Sequence, residues 1–117
     1  MSSQLFHTDL GFPVKFQAPT GTYKLEWSNH ANKARYDDRY GFIETFDTIT
    51  TKDYTVIELL VEDGKIAKIV LRGELDNDFD ITYVLIPRKG SWLVKTVWLN
   101  YWNDTHKTLD TSKYDRP

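Results

Sequence analysis

Four stretches of this chain, Tyr54 to Glu62, Lys65 to Leu75, Phe79 to Pro87 and Trp92 to Tyr101, are runs of β-branched, aliphatic and aromatic residues. Short polar punctuation separates them. Asp63-Gly64 is the strongest hairpin signal, because a two-residue turn of this kind needs backbone that Gly tolerates and Asp permits. Asp76-Asn77-Asp78 and Arg88-Lys89-Gly90-Ser91 read as the next two turns. Connections this short force neighbouring strands to pair antiparallel, since a parallel pair needs a long crossover. In the fourth stretch, strict alternation sets Leu93, Lys95, Val97 and Leu99 on one face. Trp92, Val94, Thr96, Trp98 and Asn100 fall on the other.

Upstream, the pattern changes. Ser28 stands where a helix N-cap belongs, its hydroxyl able to accept from the first unsatisfied N–H groups. The helix is expected from Asn29 to Arg39, with Ala31, Ala34 and Asp38 on one side and Gly41 as the stop after Tyr40. Tyr23 to Trp27 reads as a short strand or an extended lead-in. Residues 4–22 mix apolar positions with Gly11, Pro13, Pro19 and Gly21, and suggest an irregular arm with one short strand around Val14-Lys15-Phe16. A sheet with one wet face needs cover on the other, and this helix is the only strong candidate for it. The expected fold is therefore α+β: one short helix packed on a four-stranded antiparallel meander sheet. An irregular N-terminal arm (1–22) and a polar C-terminal tail (102–117) flank a core of 23–101, all in one domain. After Tyr101 the tail is polar and turn-rich, and is expected to fold back over the sheet instead of adding a strand.

Composition narrows the function. At 117 residues there is room for one core. Cysteine is absent, which removes disulfides, thiol nucleophiles and Cys-type zinc sites and fits a reducing compartment. The N-terminus has no basic-then-apolar leader and no run approaches a membrane span, so a cytoplasmic, membrane-free protein is expected. The net charge of −2 argues against general coating of nucleic acid. Charge is nonetheless uneven: Glu74 to Asp80 carries four acidic residues and no basic one, whereas Arg88 to Pro117 carries six basic residues against three acidic ones. Glycine-rich phosphate loops, zinc-type histidine pairs and nucleophile elbows are missing, so no cofactor and no metal are expected.

The candidate chemistry sits in the helix. His30 lies in its first turn, where the dipole disfavours an imidazolium. Arg35 and Arg39, four apart, would stack on one side of it. A neutral imidazole that takes a 2′-OH proton, beside guanidinium groups that hold the phosphate, is a workable set for RNA cleavage. The competing reading pairs the arginines with Asp37 or Asp38 and leaves His30 an ordinary helix-start residue. Lys95, among aliphatics, and Arg72, beside Val70, each suit either a structural ion pair or a substrate phosphate. His106, in the polar tail, is a further candidate. Trp27, Trp92, Trp98, Tyr101 and Trp102 offer base-stacking surface or core packing.

The pattern Ser28-x-His30-Ala31-x-x-x-Arg35-x-x-x-Arg39, followed by strands, resembles the RelE/BrnT-like ribonuclease toxins and, within them, RegB-type endoribonucleases. The ending Lys95-Thr-Val-Trp-Leu-Asn100 and Asn103-Asp-Thr-His-Lys-Thr-Leu-Asp110 looks like that of small uncharacterised phage proteins. The resemblance covers 28–114. It implies metal-independent mRNA cleavage by 2′-OH attack, with His30 as general base or acid and Arg35 and Arg39 as phosphate or structural residues. RNA or the ribosome would be the target, regulation would come from an antitoxin partner or from expression only early in infection, and the host cytoplasm would be the location if the chain is phage-encoded. Lys95 and His106 enter from position alone. The alternative is a catalytically silent module that inhibits a host protein. It rests on the acidic charge and on more aromatics than one small core needs. Self-association through an exposed strand edge is a third option.

Overall fold

The computed structural model describes residues 3–7, as backbone, and 21–103. Its elements are β1 (Ser3–His7), β2 (Thr22–Trp27), α1 (Asn29–Asp37), β3 (Thr48–Thr50), β4 (Tyr54–Glu62), β5 (Lys65–Glu74), β6 (Phe79–Arg88) and β7 (Ser91–Tyr101), with a 3-10 turn at Thr51–Asp53. The short strand expected at 14–16 and the fold-back of the tail beyond Asn103 lie outside the described residues.

A four-stranded antiparallel meander is not the fold. The four hairpin-linked strands are present, but they form part of a mixed sheet in the order β1-β4-β5-β6-β7-β2-β3. The β2–β7 pair is parallel, with Leu25 opposite Trp92 and Trp27 opposite Val94. β3 adds antiparallel to β2, and β1 adds antiparallel to β4. Laid flat, the five strand spacings from β4 to β3 would cover about 24 Å. Yet the chain passes from Thr50 to Tyr54 through one 3-10 turn, a reach of about 14 Å at most. The sheet must therefore curl, and β2 to β7 form a half-barrel.

Bulges supply the bend. Register shifts lie between Val56 and Glu58, between Leu60 and Val61, and between Val84 and Leu85. The extra residues are Ile57 on β4, Ala67 on β5 and Lys95 on β7. Each inserted residue raises the local twist and bends its strand. The turns are well served. Asp63 and Gly64 both have positive φ, 51° and 78°, as a mirror-image hairpin turn demands. Asp76 Oδ1 accepts from the N–H groups of Asp78 and Phe79, both at 2.8 Å, and so closes the β5–β6 turn.

Both sheet faces are buried, contrary to the expectation of one wet face. The larger core joins Tyr23, Leu25, Ala31, Ile43 and Ile49 to Leu59, Ile69, Leu71, Ile81, Tyr83, Leu85, Val94, Val97 and Leu99. A smaller cluster of Ile57, Val70, Val84 and Trp98 lies on the opposite face. Alongside it sit buried Glu58 and Lys68, with Nζ 3.7 Å from the carboxylate. The runs Ile69-Val70-Leu71 and Tyr83-Val84-Leu85 are the sequence form of this two-sided burial.

The helix does not cover the sheet as expected; it lies against β7. Beyond Val94 strand β2 no longer pairs with β7, and α1 takes over that flank. Ser28 N–H donates to the Val94 carbonyl at 3.3 Å, and Asp38 Oδ1 accepts from Leu99 N–H at 3.1 Å. Both ends of the helix are thus tied to one strand.

Candidate functional site: the two ends of the helix

Ser28 caps α1 as its position suggests, accepting from Ala31 N–H at 3.0 Å. The same hydroxyl donates to the carbonyl of Lys95 at 3.3 Å. Lys95 is the bulged residue, so the helix start satisfies a carbonyl that the β6–β7 ladder leaves off. This bulge also overturns the expected alternation of β7. Trp92 and Val94 join Val97 and Leu99 on the core side, and Lys95 drops out of the row of aliphatics. Lys95 is half-buried and His30 is exposed on the first turn. Through Ser28 the fold brings these two candidates to the same end of the helix.

Arg35 and Arg39 do not join them. The helix ends at Asp37, and Asp38 is extended (ψ 135°). Its carboxylate takes the Tyr40 N–H at 3.0 Å and reaches β7 as well, which offers the backbone an alternative to another helical turn. Arg39 therefore falls outside the helix and cannot stack four residues after Arg35. Its guanidinium sits 4.6 Å over the Tyr40 ring instead. Arg35 is committed to the loop that follows. It donates to the Ile43 carbonyl at 3.0 Å, to the Tyr36 hydroxyl at 3.0 Å and to Asn32 Oδ1 at 3.3 Å. Its guanidinium also lies 4.3 Å from the Tyr36 ring centre and 4.9 Å from that of Phe42. Neither arginine pairs with Asp37 or Asp38 in the manner of the competing reading. Arg72 is an ion-pair residue, with Nε 2.9 Å from Asp80 Oδ2 and Nη2 donating to the Tyr101 carbonyl. His106 lies outside the described residues.

What the far end of α1 gathers is aromatic surface. Tyr36, Phe42, Tyr101 and Trp102 are 62, 56, 45 and 63% exposed. Tyr36 meets Phe42 at 5.1 Å, while Tyr40 bridges to Tyr101 at 4.8 Å and to Phe79 at 5.1 Å. Tyr101 stacks on Phe79 at 5.1 Å. The loop from Asp38 to Ile43 thus lies between two ring clusters, each with an arginine on it. Sequence reasoning names Tyr101 and Trp102 for stacking surface or packing without choosing between them, and does not name Tyr36 and Phe42. The signal for them is their place on either side of the helix stop Gly41, where no core position is due.

Among the described residues no group of three or more His, Cys, Asp or Glu is arranged to hold a metal ion. No helix among them is long and apolar enough to cross a membrane. No known protein family, curated protein or solved structure matches this chain.

Proposed function

We propose that this chain is a protein-binding module whose contact surface is the aromatic and arginine face around the end of α1. The observation that carries the reading is the exposure of four large rings: Tyr36 and Phe42, in contact at one end of the loop 38–43, and Tyr101 and Trp102, with Tyr101 against Tyr40 of the same loop. Large apolar side chains cost free energy in water, and clustered ones mark interaction sites more often than scattered ones do. Trp, Tyr and Arg are also the residues that dominate binding energy at interfaces. Phe42 is held in place before binding, because Arg35 and Asp38 lock the loop that presents it, and Tyr36 and Tyr101 sit on the helix and on β7. Less ordering entropy is then lost on association. The test is cross-linked capture of a tagged chain from the cells that make it. A protein partner is expected at equal stoichiometry, lost with Phe42→Ala and Trp102→Ala and kept with His30→Ala. Capture that survives both aromatic substitutions, or that returns RNA alone, overturns the reading.

A second reading keeps the ribonuclease expectation, now reduced to the helix start. His30 is exposed there, and the bulge that carries Lys95 is tied to the same N-cap. Bulges often re-aim side chains beside active sites, and a helix N-terminus suits a phosphate. Arg35 and Arg39 have no part in this version, since they sit at the other end. It predicts cleavage of single-stranded RNA in EDTA with 2′,3′-cyclic phosphate ends, abolished by His30→Ala in a folded protein. Uncut RNA, with and without ribosomes, removes it.

A further inference from the structure

The aromatic surface is not electrically uniform. On one flank Arg39 lies on Tyr40, whose ring touches Tyr101. On the other, Trp102 forms one wall of an open cavity of about 330 Å³, whose other walls are Glu74, Asp76, Asn77 and Asp80. Three carboxylates face this space. Buried Arg72 pairs with Asp80 and with the Tyr101 carbonyl, so the remaining carboxylates give the cavity a net negative character. The Asp76 oxygen that closes the turn is Oδ1, which leaves Oδ2 for a ligand. Trp102 directly follows Tyr101 in the chain, and the Tyr101 ring lies against Phe79 and Tyr40.

We propose that the partner segment seated at the Trp102 end of this surface is a basic one. It would place an arginine or lysine side chain in the cavity between Trp102 and the β5–β6 turn, with an apolar residue lying on Tyr101. This inference rests on the binding-module reading and names the chemistry of its partner. Charge complementarity selects the occupant: a cation gains from the carboxylates and from the face of Trp102 together. The phosphates of a nucleic acid would be carried into the same carboxylates and repelled. A free small cation would leave the neighbouring rings uncovered, whereas a peptide segment covers both. An acidic residue of that segment would fit at the arginine-bearing rings, beside Arg39 on Tyr40 or Arg35 on Tyr36 and Phe42, and away from the carboxylates.

The probe is a short acetylated and amidated peptide of alternating arginine and leucine, titrated into the full chain and followed by amide and indole NMR. The controls are the same peptide with glutamate for arginine, free arginine amide and a single-stranded oligouridylate. Shifts are expected at the Trp102 indole N–H and across Glu74 to Asp80, with the arginine peptide alone binding there. In Glu74→Gln/Asp76→Asn its affinity should fall about tenfold or more. The asparagine retains an oxygen to close the turn, so the fold is preserved. Unchanged affinity in the double variant overturns the proposal. So does equal binding by the glutamate peptide or the oligonucleotide at these resonances, or binding of free arginine amide as tight as that of the peptide. The two readings fail separately. A captured partner lost with Trp102→Ala but kept in the double variant sinks the basic segment and leaves the surface standing. A partner kept in both sinks the surface itself.

Discussion

Two groups of aromatic rings in this protein share similar contact geometry and have opposite exposure. Inside the half-barrel Tyr23 stacks on Trp92 at 4.2 Å, and Trp27 and Tyr54 meet Tyr83 edge-on at 6.1 and 5.9 Å. Around the end of α1 the ring spacings are 4.8 to 5.1 Å. Tyr83 is fully buried, while Tyr36 keeps 62% of its surface. Ring contacts alone therefore do not tell the two groups apart; desolvation does. Burial of an aromatic side chain is worth a few kcal/mol to folding, and an exposed ring contributes little of that. The inner group packs inside the curled sheet, whereas the outer group gains little from folding.

The sharpest way to break this contrast is to remove an inner ring. Tyr83→Ala should destabilise the fold by about 3–5 kcal/mol, as large-to-small changes at sealed core sites do, read from urea midpoints at constant slope. A loss below about 1 kcal/mol would show that the half-barrel does not depend on its rings. Gly73→Ala tests the same packing from the other side. Gly73 faces Tyr54 in the ladder, and an added Cβ would stand 2.5 Å from that ring and 2.9 Å from the Asp53 carbonyl. Because the backbone oxygen cannot swing aside, a loss of about 1–3 kcal/mol is expected.

Alkali reaches the inner group next. Burial pushes the Tyr23 hydroxyl up to about 12 and raises Tyr83 further. Tyr54 is also raised, by burial and then by the Asp53 carboxylate. In the unfolded chain these phenols ionise near pH 10. Above that pH the unfolded state sheds protons that the folded state keeps, so stability falls as pH rises. Their contribution should be complete below pH 10 and lost progressively through pH 12. Chemical unfolding at pH 8, 10 and 11.5 checks this, and a flat profile across those points would mean that the inner tyrosines are solvated.

The strand runs and the local turns and caps can be read from the residues alone, whereas the sheet they build cannot, for physical reasons. Ser28 as N-cap and Asp63-Gly64 as a hairpin turn are local devices, decided within four residues, and the structure holds both. The parallel β2–β7 pair is not local. It joins Leu25 to Trp92 across the chain, and no short connection announces it. The bulge at Lys95 is silent too, because apolar residues on both sides of β7 leave the alternation with no phase to slip against. For the candidate site, the i, i+4 spacing of Arg35 and Arg39 holds only while the helix continues. What ends it is a carboxylate on Asp38 that bonds to Leu99, sixty-one residues away. The surplus of aromatics is visible as composition, but which rings stay outside depends on where β7 stops and α1 turns back.

A finer test stays within the inner group. The Tyr83 hydroxyl is buried and has no hydrogen-bond partner among the described residues. A buried polar group in that condition costs free energy, which its removal returns. Tyr83→Phe should therefore leave stability unchanged or raise it by about 1 kcal/mol, against the large loss from Tyr83→Ala. A clear destabilisation would mean that the hydroxyl is satisfied by a contact outside the described residues.

The smallest expected effect on folding is the one that decides the comparison. Trp102→Ala and Phe42→Ala remove rings at least as large as Tyr83's or close to it, yet each should shift stability by no more than about 0.5 kcal/mol, because most of the lost surface is already wet. Arg35 retains its bonds to the Ile43 carbonyl and Tyr36 when Phe42 is shortened, so the loop keeps its shape. The same two substitutions are expected to abolish capture of the partner. Paired urea curves and capture assays on one preparation read both quantities at once. If either variant unfolds like Tyr83→Ala, the outer rings belong to the fold after all, and their exposure is no longer grounds for a partner.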